Sequence, residues 1–298
     1  MATGAAGRVP ASETSKAPDA SGTPADVPDD VPDAVRHALH WFALTAASAN
    51  VVMQLARLPV GRGVAESKVD SGRIDKHPIK RTRTTLSYVA LAWHGTDRER
   101  AVLREEVNRS HRPVRSDDSS PVRYNAFDRE LQLWVAACLY RGTEDVLTAL
   151  YGPPSPQVLD TLYRHASRFG TTLQVPADMW PADRAAFEEY WRASLERLEM
   201  DKVTRAYLQG LAGMTFLPGP VHRTFGSFHQ FVTMGFLPPE FRAELGLPWT
   251  DRDQARFDRL LRRAAAANRV MPRALRGFPW NLYLWDARRR IRKGRPLV

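Results

Sequence analysis

Hydrophobic positions recur at helical spacing along most of the chain, and the clearest pattern is a helical hairpin over residues 80–114. Its first helix places five residues on one mostly apolar face: Arg81, Thr85, Tyr88, Val89 and Ala92. Its second helix carries a stripe at four-residue spacing, formed by Leu103, Val107 and His111. The pattern therefore predicts two amphipathic helices that bury these faces.

The connection between the two helices is very short. A glycine ends the first helix, and Thr96 and Glu99 match the capping box that begins the second. Helices joined so closely pack as antiparallel neighbours. We therefore expect Arg81, Thr85 and His111 to meet at one end of the hairpin, among apolar groups. The convergence alone leaves three interpretations open: a metal or haem ligand, a general base, or a polar network in the core.

The rest of the chain is also predicted to be helical. Helices are expected over 33–58, 131–150, 156–169, from 183 towards 211, and from 250 onwards, with loops over 61–78 and 115–124. Segment 171–181 is the one piece that suits an extended conformation, and 214–241 predicts a helix–turn–helix under a substrate cavity or in the core. No period-2 run occurs. The sequence thus predicts an all-α domain over 31–298, preceded by a disordered tail over 1–30 that is rich in alanine, serine, proline and aspartate.

Composition and charge limit the possible partners. The 298 residues carry a net charge of +10 and one cysteine, Cys138, which excludes an intramolecular disulfide and suits a buried position. Six basic residues cluster near the C-terminus: Arg288, Arg289, Arg290, Arg292, Lys293 and Arg295. Such a cluster can touch nucleic acid or anionic lipid, but no stacking motif or recognition helix accompanies it. We interpret it as a solvated tail and predict no nucleic-acid partner.

No secretory signal is apparent at the N-terminus, and the most apolar window, 39–56, is interrupted by polar residues. The window suits a core helix better than a membrane span. We therefore expect a cytoplasmic protein without stable membrane insertion.

Other candidate site residues are weaker. No zincin, serine hydrolase, dinucleotide-binding or P-loop motif occurs. His37 and His40 share a helical face but lack a third ligand, and Glu66 and Asp70 lie in a predicted loop that precedes the hairpin. The histidines of the 214–241 segment, His222 and His229, are seven residues apart and suit the lining of a pocket better than a metal site.

The chain resembles the MpaB-type oxygenases, a haem-containing family that includes the catalytic domain of the rubber oxygenase, or latex clearing protein. The resemblance extends over residues 48–276 and rests on MQLARLPVGRGVAES, KRTRTTLSYVALAWHGT, VNRSHRPVR, YNAFDRELQLWVAACLY and LPPEFRAELGLPWT in this order. It implies an all-α fold that binds haem b. His111 would be the proximal iron ligand with its other ring nitrogen hydrogen-bonded, and Arg81 and Thr85 would line the distal pocket.

The resemblance also implies a reaction. Arg81 would stabilise developing negative charge or pair with a haem propionate, and Thr85 would hydrogen-bond bound dioxygen. The substrate would be a small hydrophobic molecule, such as an isoprenoid, whose carbon–carbon double bond is cleaved or receives oxygen. Rubber oxygenases carry a lysine where Thr84 stands here, and Lys80 is nearly a full turn away. The sixth iron position is therefore expected to be open or water-filled, and polyisoprene is placed in doubt as substrate.

Two other functions remain open at this point. One is a haem protein without turnover, such as a sensor or carrier, which would share His111. The other is a helical interaction module that uses the basic C-terminus and binds no cofactor.

Overall fold

A computed structural model of the chain describes residues 32, 35–67, 74 and 76–297, apart from the side chains of residues 273 and 274. Regular structure within these ranges is helical, with a single isolated bridge between Arg115 and Asn125 and no strand. The predicted all-α class is confirmed. The tail predicted over residues 1–30 lies outside the described residues.

The helices follow one another along the chain with short connections. Their bounds are α1 Ala47–Leu55, α2 Leu58–Ala65, α3 Pro78–His94, α4 Asp97–His111, α5 Arg129–Tyr151, α6 Pro156–Ala166, α7 Arg168–Thr171, α8 Arg184–Leu195, α9 Lys202–Gly213, α10 Gly219–Phe236, α11 Pro239–Leu245, α12 Asp251–Val270, α13 Arg273–Arg276 and α14 Trp280–Arg292. Short 3-10 helices cover Trp41–Leu44 and Ala177–Met179. The segment over 171–181 therefore holds helical turns, and its expected extended conformation is wrong.

The predicted hairpin is present as α3 and α4. Its capping box is formed: the Thr96 hydroxyl accepts a hydrogen bond from the Glu99 amide at 3.3 Å, and the Glu99 carboxylate accepts one from the Thr96 amide at 3.0 Å. Leu103 and Val107 are buried, so the inward stripe of α4 is as predicted. This local pattern fixes both the turn and the face that the hairpin presents to the core.

The single helix predicted over 33–58 is wrong, because the chain forms a 3-10 turn and then two helices. Pro59 was expected to end a helix but lies in the first turn of α2, where the missing amide hydrogen of proline costs nothing. Gly61, expected in a loop, lies inside α2. A side chain there would collide with the methyl group of Thr204 and come within 2.6 Å of the Leu55 carbonyl oxygen. Close packing of α2 against α1 and α9 thus requires this glycine.

We expect Gly61→Ala to lower the free energy of unfolding by about 1–3 kcal/mol, because the added methyl group overpacks this contact. Chemical denaturation measures the change. Gly277→Ala is the matched control, since a side chain at that position meets no atom within 4 Å. Equal stability of the two variants would contradict the account of α2 packing.

Helix α5 lies at the centre of the main hydrophobic cluster. Asp128 caps it, accepting hydrogen bonds from the amides of Glu130 and Leu131. Trp134 and Cys138 of α5 are fully buried, as predicted for the cysteine, and the Trp134 indole donates to the Gln54 carbonyl at 3.0 Å. These contacts hold α1 against α5, and both helices contribute to the cavity described below.

Two further predictions need correction near the C-terminal half. The helix that begins after Asp183 ends at Leu195, and Asp201 caps a separate α9. The basic C-terminal cluster is not simply a solvated tail, because α14 packs against α3 and buries Trp280 and Ala287. The apolar face of α14 explains this packing, which the high density of arginines concealed in the sequence.

No helix in the described part of the chain combines the length and apolarity needed to cross a bilayer. The apolar window 39–56 forms a 3-10 helix and α1, with Phe42 and Val52 buried in the core. Its predicted role as core is confirmed.

His165 of α6 is buried against Trp93, and its Nε2 lies 2.9 Å from the Trp93 carbonyl oxygen. Burial, and then the charge of Arg168, lower the pKa of His165 to about 4 from an unfolded value of 6.5. The unfolded chain therefore binds more protons between these values, and stability falls as pH falls through this window.

We expect His165→Gln to reduce the loss of unfolding free energy between pH 7 and pH 5 by about 2 kcal/mol. Glutamine keeps a donor for the Trp93 carbonyl but does not titrate. Urea unfolding at the two pH values measures the effect, and an unchanged pH dependence would show that His165 does not carry it.

Candidate functional site

The principal cavity lies between α2, α3, α4 and α5 and has a volume of about 280 Å³. Its walls are mostly apolar, with Val60, Val89, Leu131 and Val135 from these helices and Phe169 from α7. All three residues singled out in the hairpin, Arg81, Thr85 and His111, line it. The antiparallel geometry of α3 and α4 brings them together because the first two lie near the start of α3 and the third ends α4.

His111 presents a neutral imidazole at this cavity. Burial, and then the charge of Arg81, lower its pKa to about 4. Near pH 7 the ring therefore keeps a lone pair that can bind a metal or accept a proton. The ring packs edge-on against Phe127, with 6.4 Å between centroids.

The hydrogen bond expected at the second ring nitrogen of His111 is not made by any described residue. Its Nδ1 atom is buried without a partner. The ring packs against Phe127, whose side chain offers no acceptor. A buried ring nitrogen left unpaired destabilises a protein by about 1–3 kcal/mol, and here it also leaves the ring without the hydrogen bond that would fix its orientation.

Arg81 supplies an uncompensated positive charge to the cavity. Its side chain is partly buried, burial lowers its pKa, and no described acidic residue forms an ion pair with it. Lys80 lines the same cavity, whereas no aspartate or glutamate does so among the described residues. The site therefore favours a ligand that carries negative charge beside an apolar body.

Thr85 and its neighbour Thr84 both line the cavity and contribute hydroxyl groups on the α3 wall. Thr84, the residue at the position of the rubber oxygenase lysine, is thus at the site. Lys80 also reaches the cavity lining, one turn nearer the start of α3.

Several cavity residues escaped the sequence analysis. Gln132 of α5 donates to the Ala126 carbonyl at 2.7 Å and to the side chain of Gln174 at 2.6 Å, and Gln174 in turn donates to Asn108 of α4 at 2.6 Å. This network ties α4, which carries His111, to α5. Its members are far apart in sequence. Asn108 and Gln132 lie within two of the segments quoted above, but no local pattern indicates that their side chains meet through Gln174.

Tyr88 and Tyr124 also line the cavity. The Tyr88 hydroxyl donates a hydrogen bond to the Phe169 carbonyl at 2.6 Å. Tyr88 thus lies on the inward face of α3, as the sequence predicts. Tyr124 comes from the loop after α4, and its ring lies against Gly63, where a side chain would approach it to 3.3 Å. Periodicity identifies Tyr88 but cannot place a loop residue such as Tyr124.

His222 and His229 do not line this cavity. The two imidazoles bond instead to the C-terminal carbonyls of α9, His222 to Gly213 at 2.8 Å and His229 to Ala212 at 2.7 Å. His229 also bonds to Ser48 at 3.0 Å. Their seven-residue spacing reflects the contact between α9 and α10.

The remaining candidates serve the fold. His40 caps the 3-10 helix over Trp41–Leu44, whereas His37 is exposed. Among the described residues no three histidine, cysteine, aspartate or glutamate side chains come together to hold a metal ion. Glu66 forms an ion pair with Arg62 and accepts a hydrogen bond from Tyr124 at 3.4 Å. Asp70, the other carboxylate named in that predicted loop, lies outside the described residues.

Comparison with known proteins gives one family match. The family described as ER-bound oxygenase mpaB/B'/Rubber oxygenase, catalytic domain, matches residues 35–267. Two similar proteins, one from Mycobacterium bovis and one from Mycobacterium tuberculosis, both carry names that describe them as uncharacterized. Each is 52% identical over 251 residues, covering 84% of this chain and 98% of the relative. No solved structure matches the chain significantly.

Proposed function

Since this chain belongs to the family of MpaB and rubber oxygenase catalytic domains, we propose that it is a haem b-dependent oxygenase acting on a small hydrophobic substrate. The observation that carries this proposal is the neutral imidazole of His111 beside the guanidinium of Arg81 in an apolar cavity, where no described residue forms a hydrogen bond or ion pair with either group. His111 is proposed to hold the haem iron as its protein ligand.

The residues of the cavity fit a haem. An iron porphyrin offers a metal to one imidazole, a large apolar face to the walls, and two carboxylates to basic groups. His111 meets the first requirement, because it is uncharged and its ring makes no hydrogen bond to a described residue. Side chains such as Val89, Leu131 and Phe169 meet the second, and Lys80 meets the third.

When bound, the haem supplies a redox-active iron at which dioxygen can be activated. The residues of the chain then do three things. The Arg81 guanidinium stabilises negative charge that develops nearby, since no described carboxylate neutralises it. The Thr85 hydroxyl, on the same wall, would donate a hydrogen bond to dioxygen. The apolar walls exclude water and hold a hydrophobic substrate, whose carbon–carbon double bond is cleaved or receives oxygen.

Residues 80 and 84 of α3 also determine whether a second side chain could hold the iron at its sixth position. Thr84 cannot take the place of a lysine ligand, and Lys80 lies a turn further towards the helix start. We propose that no side chain occupies that position and that the oxygen side of the cavity stays open.

A haem sensor or carrier is the alternative, because it needs His111 but no turnover. Oxygen uptake by the haem-loaded protein distinguishes the two. We expect squalene, a hydrophobic polyene, or a shorter isoprenoid alcohol to stimulate uptake, and the saturated analogue squalane not to do so. If neither isoprenoid changes the rate although haem is bound, the oxygenase proposal for isoprenoid substrates is wrong and a carrier or sensor is favoured.

A further inference from the structure

A row of exposed apolar side chains follows the C-terminal part of the chain. Four large residues are about half exposed there: Leu275 at 55%, Phe278 at 52%, Leu282 at 47% and Trp285 at 55%. In α14, residues 282, 285, 289 and 292 share the face opposite to the buried Trp280 and Ala287. Large apolar groups concentrated on one outer face indicate a contact surface rather than scattered exposure.

The same face of α14 also carries basic side chains that form no ion pair with a described residue. Arg289 lies over the ring of Trp285, with 5.6 Å from its guanidinium carbon to the ring centroid. Arg288 pairs with Glu99 of α4 and so stabilises the packing of α14, whereas Arg290 pairs with Asp286 within α14. No described acidic residue forms an ion pair with the others in this region: Arg289, Arg292, Lys293 and Arg295.

We propose that this surface, defined by Leu275, Phe278, Leu282, Trp285, Arg289 and Arg292, docks onto an anionic phospholipid bilayer. The aromatic and aliphatic side chains enter the interfacial region, where tryptophan is favoured, and the arginines contact lipid phosphates. Charge complementarity selects anionic lipid. The exposed leucines and phenylalanine argue against nucleic acid, because a polyphosphate backbone gives aliphatic groups no favourable contact.

The docking surface is separate from the cavity. Arg288 of α14 donates to the His94 carbonyl at the end of α3, at 3.2 Å, whereas Arg81 lies near the start of that helix. Arg81 and His94 are thirteen residue steps apart, which corresponds to about 20 Å along a helix. Lipid docking therefore does not depend on the proposed haem, and substitutions in this surface should leave His111 and its surroundings intact.

Flotation of the full-length protein with lipid vesicles tests the proposal. We expect binding to vesicles of phosphatidylcholine mixed with phosphatidylglycerol, little binding to phosphatidylcholine alone, and weakening at high salt. Arg289→Gln and Arg292→Gln should each lower the partition coefficient about fivefold. Trp285→Ala should lower it about tenfold.

Phe225→Ala in α10 is the matched control, because Phe225 is 56% exposed yet lies outside the docking surface. It should leave vesicle binding unchanged. An equal loss in the Phe225 variant, equal binding to neutral vesicles, or absence of vesicle binding would overturn the proposal. Tight binding to duplex DNA without vesicle binding would do the same and assign the arginines to nucleic acid.

Discussion

His111→Ala is expected to abolish stable haem binding. The wild-type imidazole is uncharged near pH 7 because burial and Arg81 lower its pKa to about 4. Alanine removes the proposed metal ligand and leaves only the apolar walls and the basic residues to hold a haem. We expect the Soret band of reconstituted protein to be lost, or the affinity for haem to fall by at least about a hundredfold, which is the upper end of what it costs to lose a residue that merely orients a metal ligand.

The control for this variant is His229→Ala, which removes a histidine bonded to Ser48 and Ala212 outside the cavity. It should keep the Soret band. His111→Gly with added imidazole should recover the band, because the free base can occupy the space left by the side chain. A normal spectrum in His111→Ala, with bleaching in His229→Ala, would move the ligand to α10.

The second large effect is expected at Arg81. Arg81→Leu should keep the haem but lower the rate of substrate-dependent oxygen uptake per haem about a hundredfold, which corresponds to roughly 3 kcal/mol of lost charge stabilisation. The physical reason is the absence of a described carboxylate partner for Arg81, so its charge is directed to whatever occupies the cavity.

Arg109→Ala is the matched control for Arg81, since Arg109 is an exposed arginine of α4 that pairs with Glu106. Its oxygen uptake should equal that of the wild type. Thr85→Val tests the hydroxyl separately, because it changes little volume and should also reduce the rate while the haem stays bound. If Arg81→Leu turned over normally, the proposed role of its charge would be wrong.

The sequence predicted the hairpin because its signals are local. The capping box of Thr96 and Glu99 spans four residues, and the stripe of three residues at four-residue spacing from Leu103 to His111 needs no distant partner to be recognised. These two signals predict that the helices are antiparallel and that the start of α3 meets the end of α4. Their meeting at a cavity, rather than in solid core, depends on α2 and α5 and was not predictable from the hairpin.

The failures share one cause, which is tertiary contact between residues distant in sequence. Pro59 and Gly61 are typical of a helix end, but here they lie inside α2, which packs against Thr204 of α9. The sequence suggested that His222 and His229 line a pocket, but their imidazoles bond to carbonyl groups at the end of α9. Local propensity cannot include such partners, so it misjudged these segments while identifying the amphipathic helices.

The most direct measurement of the central claim is a spectrophotometric titration of the full-length wild-type protein with haem b, in parallel with His111→Ala. We predict a Soret band that saturates at one haem per chain in the wild type and is lost or greatly weakened in the variant. A wild-type protein that shows no saturable haem spectrum, or a variant that titrates identically, would contradict the assignment of this cavity and of His111 to haem.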